Sequence, residues 1–195
     1  MTLVNASSRR KELIRIAARL FVVEGFDRTT VRMMAKDMGI KSGSLFHHFR
    51  DKQEILCAVI EEGMHNALAL ANHALSEAHD TPRGRLDAMV RAHLETLLTD
   101  RNAHVVALYE WRRLDDESRS HLVHLRDAYE ALWKEVIEDA SEAGLVYGDP
   151  LSARRFVLGA LNWTVRWYDP EGPRSPESLA QELVTMITHS PASPA

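Results

Sequence analysis

Apolar residues recur every three or four positions along almost the whole chain, and no segment alternates convincingly with period two. Such a pattern gives helices one buried face and provides no half-buried strand, so an all-α fold is expected. The first stripe is Leu13, Ile16, Ala17, Leu20 and Phe21, and Gly25 stops it. Thr29 or Thr30 can cap a second helix through Val31, Met34 and Ala35 that ends at Gly39. Ile40 to His47 reads as a short third helix with Leu45 inside, and Asp51 with Glu54 as a capping-box-like start of a fourth running towards Leu75. Thr81-Pro82 opens a fifth, and Asn102 to Leu114 forms a sixth. Ser118 to Ala143 is the seventh, closed by Gly144, and an eighth runs from Asp149-Pro150 to Tyr168. After the break DPEGPRSP, Pro176 to Thr188 is the ninth, and the tail SPASPA is expected to fray.

A length of 195 residues with 45% hydrophobic side chains supports a substantial core. The single cysteine, Cys57, cannot form an internal disulfide and reads as a small buried hydrophobe. No apolar run approaches the ~20 residues a bilayer requires, and the first residues are too short and polar for a signal peptide. A cytoplasmic protein without membrane partners is the expectation.

The formal net charge of -4 hides an asymmetry. Residues 1–55 hold eleven Lys/Arg against six Asp/Glu, whereas the remainder holds 13 against 22. A basic end on an acidic body suits docking to a polyanion through one face. Two short helices around the Gly39 turn, after a longer supporting helix, make a helix-turn-helix arrangement. Its second helix would present Lys41, Ser42 and Ser44 to base edges in the major groove, and Gly43 would let the backbone approach closely. The helix starts near Thr29, Thr30 and Asp51 offer N–H groups to phosphates, with Lys52 as a nearby point charge. His47 and His48 point about 100° apart on a helix, so they chelate one ion poorly and read as phosphate donors, or one donor and one packing residue. The functional division implied is a DNA-binding region over 8–55 and a body over 56–190.

The stretch RKELIRIAARLFVVEGFDRTTVRMMAKDMGIKSGSLFHHFRDKQEIL, covering roughly residues 10–56, resembles the DNA-binding region of the TetR family of one-component regulators. Glycines, aromatics and the lysine occur together at the family's intervals. Phe46 stands where many members carry Tyr, and His47 retains a donor at the family's phosphate-facing position. The resemblance implies a nine-helix fold, a ligand-receiving C-terminal bundle and homodimers on palindromic operators. It also implies a repressor released by a small molecule.

The body carries no HExxH, no phosphate loop and no Cys/His cluster at ligand spacing, so no metal, cofactor or catalytic group is expected. His121 and His124 share a helical face, and the remaining histidines are scattered. Two stretches stand out. YEWRRLDDESR concentrates Tyr109, Trp111, Arg112 and Arg113, and GALNWTVRWYDPEGP places Asn162, Trp163 and Arg166 on the eighth helix; these seven are the candidate effector-binding residues. A homodimer closed by the helices near 150–168 and 176–188 is expected from the Leu, Val, Trp and Met concentrated there. NWTVRWYDPEGP resembles the C-terminal end of regulators that respond to acyl-CoA thioesters in fatty-acid and sterol-ring catabolism. In that resemblance Arg166 falls at a CoA-contacting arginine, whereas Asn162 and Leu158 depart from the sterol type. An uncharged or aromatic hydrophobe is the alternative effector. An enzyme or carrier on a helical bundle would need a constellation absent from the sequence, and a purely architectural DNA-binding protein would not need the acidic, aromatic-bearing body.

Overall fold

The computed structural model describes residues 2–99 and 101–188, all in helices and their connections. The SPASPA tail and His189 lie outside the described residues. Nine α-helices are present among these: α1 Thr2–Glu24, α2 Val31–Asp37, α3 Ser42–Leu45, α4 Lys52–Glu77, α5 Pro82–Thr99, α6 Arg101–Glu110, α7 Asp116–Glu142, α8 Pro150–Trp167 and α9 Pro176–Ile187. The all-α, nine-helix expectation therefore holds. Two helices differ most from the sequence reading. The third helix is only Ser42–Leu45, because Lys41 stays extended as its N-cap while the N–H of Ile40 closes back on Ala35. The sixth stops at Glu110 and tightens into a 3₁₀ turn, Trp111–Arg113.

The backbone forms two compact units, Met1–His65 with Arg101–Leu125, and Asn66–Asp100 with Arg126–Ala195. The units divide α4 and α7, so they are drawn differently from a functional boundary at residue 55.

In the first unit, Leu13, Ala17, Phe21, Met34, Leu45, Ile55, Leu56 and Val59 are buried, which puts α1, α2, α3 and the start of α4 on one core. Gly25 and Gly39 end α1 and α2 with φ of +80° and +65°, a left-handed conformation that other residues adopt at a cost. Gly63 allows α4 to approach α6 closely, since a Cβ there would lie 3.2 Å from the Ala103 carbonyl carbon. Cys57 is half-buried, and desolvation pushes its thiol pKa up.

His104 of α6 is buried, and loss of solvent pushes its pKa down from 6.5 to about 4. The unfolded chain therefore takes up this proton well before the folded chain does. Its contribution is fully present above pH 6.5 and is lost as the pH falls towards 4. The loss is at most about 1.4 kcal/mol per pH unit. Thermal unfolding is expected to show this acid limb, and His104→Gln is expected to flatten it.

In the second unit, α5 packs on α8 and α9. Leu86, Met89, Val90, Leu94 and Leu97 of α5 share the core with Trp133, Val136 and Ile137 of α7, Leu161 and Val165 of α8, and Leu179 and Val184 of α9. Asp149 caps α8 by accepting the Ser152 N–H at 2.9 Å, and Ser175 caps α9 by accepting that of Ser178 at 3.1 Å. Proline follows each cap at the first helical position, where its missing N–H costs nothing.

Candidate nucleic-acid interface and effector region

Thr30 and Thr29 face opposite ways. Thr30 is exposed, extended, and caps α2 by accepting the Met33 N–H at 3.3 Å. Thr29 is completely buried and donates its hydroxyl to the carbonyls of Gly25, at 2.8 Å, and Leu20, at 3.2 Å. The sequence reading placed both at a phosphate-facing helix start; the structure uses the Thr29 hydroxyl to hold the end of α1.

Along α3, Leu45 anchors the short helix in the core while Lys41, Gly43 and His47 are exposed and Ser42, Ser44 and His48 are partly exposed. Phe46 is 55% exposed in the same segment, an apolar surface among polar donors. Nothing in the protein would meet a Cβ added at Gly43, so no internal packing demands glycine there. Phe49 turns inward, with the Arg10 guanidinium 4.7 Å from its ring centroid. At the start of α4, Asp51 accepts the Glu54 N–H at 2.9 Å, and Glu54 accepts the Arg50 N–H at 2.6 Å.

Lys52 has a different employment from the surface charge expected of it. Its ammonium donates to the carbonyls of Phe26 at 2.9 Å, Thr29 at 3.1 Å and Asp27 at 3.4 Å, and lies 4.2 Å from the Phe26 ring centroid. It thus ties α4 to the α1–α2 connection. Lys52→Met is expected to cost about 1.5–3 kcal/mol, the range for hydrogen bonds to a charged group. The measurement is thermal unfolding alongside binding to specific and random duplexes, with both affinities falling together.

The YEWRR stretch reaches the same unit. Glu110 accepts the Phe26 N–H at 3.2 Å, and Arg113 pairs with Asp27 at 2.8 Å. Gln53 donates to the Arg113 carbonyl at 2.8 Å. Tyr109 and Arg112 are exposed, and Trp111 is partly so. These contacts join the end of α6 to the turn after α1. Tyr109, Trp111, Arg112 and Arg113 belong to one compact unit and Asn162, Trp163 and Arg166 to the other, so the structure does not gather the two groups within one unit.

On α8, Asn162 is half-buried while Trp163 and Arg166 are exposed. Two residues that the sequence reading did not single out complete a buried polar chain with Asn162. His93 of α5 is buried, with Nδ1 2.8 Å from the Tyr129 hydroxyl and Nε2 3.0 Å from Asn162 Oδ1. Trp133 stands edge-on to the His93 ring at 5.6 Å between centroids. Burial pushes the Tyr129 pKa up to about 12, so this phenol keeps its proton. The signal in the sequence was only a histidine inside an apolar stripe, which gives no hint of its partners on other helices.

The outer side of α8 is apolar as well. Leu151, Phe156, Trp163 and Trp167 are exposed, with Ser152, Gly159 and Ala160 exposed between them, and Met186 of α9 is 77% exposed. His121 donates from Nε2 to the Glu61 carboxylate at 2.9 Å, and no group of three metal-binding side chains occurs among the described residues. No helix among them is long and apolar enough to cross a membrane.

The N-terminal helices thus make a helix-turn-helix head followed by a helical body, the build of a DNA-binding regulator. Residues 13–59 match the bacterial regulatory proteins of the tetR family, and residues 79–190 match the tetracyclin repressor-like C-terminal domain. The chain belongs to the TetR family. It is 30% identical over 192 residues to the HTH-type transcriptional repressor KstR2 of Mycolicibacterium smegmatis, covering 93% of this chain and 89% of that one. A crystal structure described as superantigen pfit is 42% identical, covers 93% of this chain and 89% of its own, and superposes with a TM-score of 0.77. AibR in complex with isovaleryl coenzyme A and operator DNA shares the fold at 24% identity, with a TM-score of 0.83 and coverage of 92% and 97%.

Proposed function

We propose that this protein is a repressor that binds a palindromic operator as a homodimer and is released by a small hydrophobic effector, an acyl-CoA thioester. The observation that carries the DNA half is the exposed, carboxylate-free segment from Lys41 to Arg50, held by Leu45 and Phe49 on a basic head. The dimer half rests on the exposed stripe of Phe156, Trp163 and Trp167, whose intervening small residues let a second helix approach.

The effector half rests on α8. Arg166 is exposed and Asn162, one turn before it, is half-buried, so one helix runs from a cation to a neutral amide at the edge of an apolar core. A CoA thioester has that order of parts: phosphates, a polar linker, then an apolar acyl chain. KstR2 of M. smegmatis is a transcriptional repressor, and the fold admits an acyl-CoA together with operator DNA in AibR. Release requires tighter effector binding to the DNA-incompetent conformation, since equal binding to both shifts nothing.

The test is a gel shift with DNA flanking the protein's own gene, with and without acyl-CoAs, beside calorimetry with free acids and free CoA. Arg166→Ala is expected to weaken the thioester at least about tenfold, the loss of one charge-assisted contact, while free-acid binding and dimerisation are unchanged. An operator complex untouched by every thioester would leave only the DNA-binding half standing.

A further inference from the structure

The second unit keeps a set of polar groups where hydrophobic packing would be the simpler solution. His93, Tyr129, Trp133 and Asn162 come together from α5, α7 and α8, helices that also bury Met89, Val90, Val136 and Leu161. Buried polar groups stabilise little on balance and are costly when left unmatched, so such a cluster calls for a reason.

The direction of its hydrogen bonds follows from donor chemistry. The indole N–H of Trp133 is fully buried, makes no hydrogen bond of normal geometry, and lies close enough to Tyr129 to favour the phenolate against the upward push of burial. An amide oxygen can only accept, so His93 donates from Nε2 to Asn162 Oδ1, and a neutral His93 is then left to accept the Tyr129 hydroxyl at Nδ1. With its oxygen engaged, Asn162 has its two amide N–H groups left to offer. With both His93 nitrogens engaged, the capacity turned outward is donor capacity, on the half-buried Asn162 amide.

We infer that the Asn162–His93–Tyr129–Trp133 cluster is the recognition point for a carbonyl oxygen of the effector, and that in an acyl-CoA it takes the thioester carbonyl. This inference rests on the acyl-CoA reading above and adds to it the place of the reacting group. Arg166 lies one helical turn beyond Asn162 on the exposed side of α8, where the phosphate-bearing part would lie, and the apolar core of α5 and α7 lies on the inner side for the acyl chain. His93 and Tyr129 act through Asn162, as positioning residues that hold its amide with the nitrogen outward.

The experiment removes the carbonyl from the ligand and the donors from the protein. Acetyl-, isovaleryl-, octanoyl-, palmitoyl- and cyclohexanecarbonyl-CoA are titrated calorimetrically. The tightest binder is then compared with the S-alkyl-CoA thioether of the same chain, which has a methylene in place of the carbonyl. The dimer is expected to prefer the thioester by roughly tenfold, the value of one well-made buried hydrogen bond. Asn162→Leu should bring that ratio close to one by weakening the thioester and sparing the thioether. Asn162→Asp, which keeps the shape of the side chain and replaces its amide nitrogen by an acceptor, should also lower the ratio and guards against a folding defect in the first variant. Equal binding of thioester and thioether by the unaltered protein overturns the cluster assignment and leaves the acyl-CoA reading intact. Binding of neither overturns both. A preference that survives in both folded variants places the carbonyl elsewhere and makes the cluster purely structural.

Discussion

A protein carrying Phe156→Glu and Trp163→Glu is expected to sediment as a monomer at micromolar concentration and to lose operator affinity by roughly a thousandfold or more, the gap between specific and non-specific binding. Phe156 is 78% exposed and Trp163 60%, and neither is needed to close the core of its own chain. In a two-fold pairing each is buried twice, and a buried aromatic removes on the order of 150 Å² from water. Two facing glutamates would instead be buried beside their symmetry mates. A single head lacks the second major-groove contact about one helical turn, 34–36 Å, away, so the paired half-sites no longer add. Sedimentation and a gel shift on the same samples decide the matter, with circular dichroism to show that the helices persist. A variant that remains dimeric places the interface elsewhere.

Lys41→Ala combined with Ser44→Ala is expected to change operator preference far more than general affinity for DNA. Both side chains are outside the head's own packing, Lys41 exposed and Ser44 partly so, whereas Leu45 beside them is fully buried. A base-edge contact is worth about 1–3 kcal/mol of discrimination, so losing two should lower the specific-to-random ratio by at least about tenfold at fixed salt. The slope of affinity against salt should change by no more than the one phosphate-neutralising charge that Lys41 can supply. An unchanged ratio at constant ionic strength would take base readout away from α3.

The two head variants separate roles that look alike in the sequence. Lys41 and Lys52 are both lysines in a basic segment, yet one is exposed and the other donates to three carbonyls. Thr29 and Thr30 are adjacent, yet only Thr30 has exposed surface. Neither distinction follows from composition or spacing, because it depends on where the α1–α2 connection lies against α4.

What the sequence by itself determined is the local part. Among the described residues the helical period specified nine helices without a strand, Gly39 marked the turn, and Asp51 with Glu54 marked the start of α4, because propensity, capping and amphipathic period act within a few residues. Only the tertiary structure decided which long-range partners those residues have. It set Arg113 against Asp27, drew the YEWRR stretch to the unit that holds the head, and joined His93 to Tyr129 and Asn162 across three helices. A hydrogen bond acts over about 3 Å, and which groups come within that distance is set by how helices far apart in the chain pack. A histidine in an apolar stripe carries no mark of the tyrosine and asparagine that will enclose it.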